Sequence, residues 1–160
     1  MLHDVVIHEA DGERIDRVLS RFVADSSTTA VLLIDRSGQL LAMAGASPSL
    51  DTVSIGALAA GAFSSTAALA RLLGETEFSV LFHEGAKESL HVSTVDDGTI
   101  LLAIFDDHTT VGMIRLFARE ASSAIGKILE ESRLRPRRIG ALATPLSADE
   151  ARRAIRHRPV

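Results

Sequence analysis

Apolar positions along this chain alternate between helical and strand spacing. Ile15, Val18, Leu19 and Phe22 recur every three or four residues and predict a helix over 11–24, after an extended lead-in at 1–10. Residues 29–35 (TAVLLID) read as a strand. Arg36-Ser37-Gly38 turns the chain, and 39–44 (QLLAMA) returns as a second strand. Three more strands are predicted at 78–83, 88–95 and 99–105, the last two joined by an Asp97-Gly98 hairpin signal. The run TILLAIF is apolar throughout, as a central strand should be. A last long helix over 110–131 aligns Ile114, Phe117, Ala121, Ala124 and Ile128. The expected fold is an α+β domain in the order α-ββ-α-βββ-α, with a five-stranded antiparallel sheet and the helices largely on one side of it.

The stretch from Asp51 to Gly74 predicts the central helix. Asp51 is placed to cap its start and Gly74 to close its end. Ile55, Leu58, Ala62, Ser65, Leu69 and Leu72 form the face expected to lie on the sheet. A second stripe, Ala57, Gly61, Ser64, Ala68 and Arg71, is almost all small. A third carries Ala59, Phe63, Thr66 and Ala70, with Phe63 away from the expected core face. Alanine favours helix in any context. On a water-facing helix, however, it usually alternates with charged residues, and Thr52 to Ala70 contains none. The small stripe is therefore expected to be covered by a partner or by a second copy.

Composition adds one feature. Residues 1–131 hold nine Lys and Arg against nineteen Asp and Glu, whereas 132–160 hold eight Arg against two acids. An acidic body thus carries a basic tail. Within the tail, Pro136, Gly140 and Pro145 discourage regular structure. Ser147 to Glu150 has the pattern of a capping box for a short helix at 147–156, with Ala151 and Ile155 spaced by four. So short a helix is marginal alone, so the tail is expected to stay disordered until it docks. It could meet nucleic acid, an anionic membrane or an acidic protein surface, its own body included. The tail has no aromatic interleaving and the body would repel phosphate, which argues against nucleic acid. No apolar run reaches the length expected of a membrane span, and the start has no signal-peptide pattern. The expected location is the cytoplasm.

Candidate chemistry is sparse. The chain has no cysteine, which excludes disulfides and thiolate catalysis. No phosphate loop or dinucleotide fingerprint occurs. His83 and His91 could face one region across neighbouring strands and accept a metal. Asp106-Asp107-His108 lies at a strand-to-helix connection, where such residues commonly cap. Neither spacing is specific. No catalytic residue, cofactor or metal ligand is assigned.

Specific stretches resemble a family. The element order and the small-residue helix resemble the roadblock fold of dynein light chains. VLLIDRSGQLLAMAG (31–45), LDTVSIGALAAGAF (50–63), LARLLGETEF (69–78), FHEGAKESLHV (82–92) and LLAIFDDHTTVGMIRL (101–116) are similar to MglB-type roadblock proteins, bacterial partners of the Ras-like GTPase MglA. The resemblance spans about 10–131, which bounds the expected roadblock domain at 1–131 and leaves 132–160 as tail. It implies a homodimer whose sheets join through edge strands, the one beginning near Phe78 in this chain. One MglA-type GTPase would dock on the paired central helices, at Ala57, Gly61, Ser64, Ala68 and Arg71, with Phe63 and Thr66 nearby. It implies GTPase activation by holding the partner's own switch residues in place, in bacterial polarity or motility, with enrichment at a cell pole. A scaffold that binds a GTPase or another roadblock protein without accelerating hydrolysis uses the same platform. In the tail, Arg152, Arg153, Ile155 and Arg156 are candidate contacts to the GTPase.

Overall fold

A computed structural model describes residues 7–45 and 49–135. The elements are α1 (Glu9–Ser26), β1 (Ala30–Asp35), β2 (Leu40–Gly45), α2 (Thr52–Leu72), β3 (Val80–His83), β4 (Ser89–Asp96), β5 (Thr99–Phe105) and α3 (Val111–Leu134). All eight expected elements form, with shifted ends. Helix α1 begins at Glu9, within the stretch expected to be extended. Helix α3 runs past 131, to Leu134.

The five strands make one antiparallel sheet in the order β2-β1-β5-β4-β3. Strand β5 sits at its centre and every residue of it is buried, which explains its unbroken apolar run. Leu32 pairs with Leu102 across β1 and β5, and Val92 pairs with the same Leu102 across β4 and β5. Strand β3 is one edge and β2 the other. The hairpin between β4 and β5 turns through Asp97-Gly98, with Asp96 Oδ1 accepting from the Gly98 amide at 2.8 Å.

Alternation along β1 and β5 divides the core in two. Val31, Leu33, Leu101, Ala103 and Phe105 face α1 and α3, where they pack with Ile15, Leu19, Phe22, Ile114, Ile125 and Leu129. Ala30, Leu32, Ile34, Ile100, Leu102 and Ile104 face the other way, toward Ala60 and Phe63 of α2. The expectation of helices on one side is therefore corrected: α1 and α3 cover one face and α2 the other. Two apolar sheet faces each need a cover.

Ion pairs tie the far end of α3 to the body. Arg14 of α1 reaches Glu131 at 2.6 Å. Asp11, fully buried, lies 3.4 Å from Arg14 and 3.0 Å from Arg135. Arg133 pairs with Asp96 of β4 at 2.6 Å. The first two arginines of the basic segment are thus engaged by acids of the body.

Candidate functional site

Helix α2 starts where the sequence predicts. The Asp51 carboxylate accepts from the Ser54 amide at 3.1 Å and the Ser54 hydroxyl at 2.6 Å. These bonds favour the charged form and hold its pKa below the usual carboxylate value. The helix closes on Gly74 in a left-handed conformation (φ +83°). There the Gly74 amide donates to Arg71 O at 3.1 Å and the Glu75 amide to Ala70 O at 3.0 Å, a Schellman ending.

The face that α2 turns to the sheet differs from the expected one. Gly56, Ala60 and Phe63 are buried, whereas Leu58, Leu69 and Leu72 are 73%, 55% and 85% exposed. The physical reason is the β1–β2 turn. Gly38, with φ +93°, brings its backbone against α2, and a side chain on it would lie 2.7 Å from Ala57 Cα. A Cβ on Gly56 would lie 2.6 Å from Gly38 O, so Gly56 itself sits at the closest approach. Two backbones meet there, and the helix rotates its small residues inward. Phe63 then fills the space beyond, 4.9 Å from the Phe78 ring, with the Arg36 guanidinium 6.0 Å from its centroid.

The candidate platform is redistributed accordingly. Ala57, Gly61, Ser64, Ala68 and Arg71 are exposed, and Thr66 is half-buried, its hydroxyl donating to Ala62 O at 2.8 Å. Phe63 is 2% exposed and is a core residue rather than a surface for a partner to touch. In its place the outer face gains Leu58, Leu69 and Leu72, which side-chain size alone assigns to the core. The outward side is therefore uncharged from Thr52 to Ala70, with Gly61 near its middle, Ala57, Ser64 and Ala68 on one flank, the leucines on the other and Arg71 at the last turn. Exposed apolar side chains grouped on one helix make this face the candidate interaction site. At 21 residues α2 is also long and apolar enough, by length and composition, to cross a membrane, against the expectation that no segment is. Here it lies along the sheet.

The other polar clusters do not assemble with α2. His83 pairs with Leu90 and His91 with Phe82, so the two histidines point to opposite faces of the sheet and cannot share a metal. His91 is 2% exposed with neither ring nitrogen hydrogen-bonded among the described residues. Burial, and then the nearby Arg115 charge, push its pKa below the usual histidine value. His108 Nδ1 lies 2.8 Å from Asp106 Oδ1 and 3.6 Å from Asp107. The hydrogen bond to Asp106 raises the pKa of this exposed histidine. The three side chains converge on a solvated turn before α3, whose own cap is Thr110, accepting from the Met113 amide at 3.3 Å. Arg152, Arg153, Ile155 and Arg156 lie outside the described residues.

A sheet flanked by two helices on one face and one on the other, the latter uncharged from Thr52 to Ala70, defines a class. The family model of the Roadblock/LC7 domain matches residues 14–105, and the chain belongs to that family. Among solved structures it is similar to Myxococcus xanthus MglB, at 40% identity over 73% of this chain and 95% of that one, with a TM-score of 0.70. The gliding protein MglB from Thermus thermophilus is 32% identical over 80% and 97% of the two chains, with a TM-score of 0.76. An MglB described as having a tetrameric arrangement is 30% identical over 81% and 97%, with a TM-score of 0.77. A comparison with curated proteins finds no match.

Proposed function

We propose that this chain is an MglB-type regulator of a small Ras-like GTPase of the MglA type. It works as a homodimer in the cytoplasm, and its β3 edge joins that of a second copy. Joining the edges satisfies unpaired backbone groups and brings two α2 helices side by side. The GTPase docks across them on Ala57, Gly61, Ser64, Ala68 and Arg71, with Leu72 beside them, one per dimer. The observation that carries this reading is the outer face of α2, uncharged from Thr52 to Ala70, on a chain 40% identical to an MglB. The protein supplies no reacting group. It accelerates hydrolysis by stabilising the partner's switch residues in a competent arrangement.

A scaffold that binds the GTPase without accelerating hydrolysis would use the same platform, since neither reading asks α2 for more than Arg71, at its last turn. Single-turnover GTP hydrolysis by a cognate MglA-type GTPase, with and without this protein, separates the two. Acceleration is expected, with the full chain and with a truncated form ending at Arg135. GTP-dependent binding without acceleration would replace the activator by the scaffold. No binding would overturn both.

A further inference from the structure

The layer opposite α2 holds an apolar groove that the platform does not use. Phe22 of α1 and Phe117 of α3 meet edge-on at 6.3 Å, and beside them the two helices leave a space of about 250 Å³. Val18 and the small Ala121 and Ala124 complete its apolar lining. Its rim carries Asp25, Glu120 and Arg21, a net negative charge. Asp25 holds Arg21 at 3.3 Å, and Glu120 has no ion pair among the described residues. A groove with an apolar floor and carboxylates at its edge suits a short helix with an apolar anchor flanked by arginines.

The chain carries such a segment. Residues 147–156 space Ala151 and Ile155 by four, beside Arg152, Arg153 and Arg156. Reach permits a return to the groove. Glu120 lies about 20 Å back along α3 from Leu134, at 1.5 Å per residue. The eleven residues 136–146 extend to about 36 Å. The basic segment also begins by binding its own body, through Arg133 on Asp96 and Arg135 on Asp11. We infer that residues 147–156 dock in the α1–α3 groove of their own chain, with Ile155 on the Phe22–Phe117 floor and Arg152 and Arg156 toward Asp25 and Glu120. Docking gives a helix too short to be stable alone the buried face it needs. It also occupies the arginines, so any acidic partner must compete for them.

The absence of cysteine makes a direct test possible. In the full chain, Ala124→Cys is combined with Ala151→Cys, and disulfide formation under an added oxidant is timed. The control pairs Ala151→Cys with Glu75→Cys, an exposed site after α2. The groove pair is expected to close about tenfold faster than the control, within one chain, because docking raises the local concentration. Ile155→Asp, or Asp25→Arg with Glu120→Arg, is expected to remove most of that advantage. Equal rates for the two pairs would overturn the inference, as would cross-linking mainly between two chains. Insensitivity to both sets of changes would overturn it as well, and so would an advantage that arises only when a GTPase is added.

Discussion

The two faces of the sheet are covered in opposite ways. On one, α1 and α3 bury Ile15, Leu19, Phe22, Ile114, Ile125 and Leu129, and ion pairs clamp their ends. Their outward sides are rich in charge. On the other, α2 is held by Gly56, Ala60 and Phe63 and turns three leucines to solvent. The first layer follows the usual rule, with large apolar residues inward. The second departs from it: Gly56 and Ala60 let the helix approach, Phe63 anchors it, and Leu58, Leu69 and Leu72 stay exposed. A helix anchored so sparingly is a surface presented by the sheet more than a part of its core. The same polypeptide thus builds one layer that buries its large apolar residues and one that exposes several of them.

That contrast can be broken most directly on the outer face. Replacing Ser64 and Ala68 together by Arg is expected to abolish GTPase binding in a pull-down while the circular dichroism spectrum stays native. Binding that survives both charges would place the partner elsewhere. On the inner face, Phe63→Ala is expected to cost about 3–5 kcal/mol in urea unfolding, since it empties the main anchor of α2. A loss below about 1 kcal/mol, well under that range, would mean that α2 is held by other contacts.

The α1–α3 side offers a pH test. His91 is buried neutral, with its folded pKa below the unfolded value of about 6.5. The unfolded chain therefore binds more protons, and stability rises with pH through that window. It is fully present above about pH 6.5 and is lost as pH falls toward the folded pKa, by up to about 1.4 kcal/mol per pH unit. The exposed His108, with its raised pKa, acts in the opposite sense and is screened. His91→Leu is expected to flatten the acid limb of the stability profile, and an unchanged limb would assign it to other groups. The smallest effect is expected from Arg133→Ala. Its exposed pair with Asp96 contributes about 0–1 kcal/mol, and high salt should shrink that difference further.

Much of this was legible in the residues. Periodicity placed all eight elements, the TILLAIF run marked the central strand, and Asp51 and Gly74 marked the ends of α2. The absence of charge from Thr52 to Ala70 identified the helix that carries the candidate site. Which side of that helix faces out was not legible. Leu58, Leu69 and Leu72 form an apolar stripe as good as any core face, and Phe63 stands apart from them. Nothing within α2 reveals that Gly38, on the far side of β2 along the chain, will press on Gly56.

The two histidines part for a related reason. His83 and His91 look like neighbours across a hairpin, yet the register pairs His83 with Leu90 and His91 with Phe82, so they lie on opposite faces. A register shift of one residue reverses every side chain, and spacing along the chain does not set it.

The sequence alone determined the order of helices and strands, the caps of α2, the central strand and the uncharged run from Thr52 to Ala70, because each depends on residues within a few positions of one another. Only the tertiary structure decided that the sheet is covered on both faces, that α2 turns Gly56, Ala60 and Phe63 inward, and that its leucines stay exposed. Those outcomes depend on a contact between the β1–β2 turn and a helix a full element away, where room for one Cβ decides which face approaches.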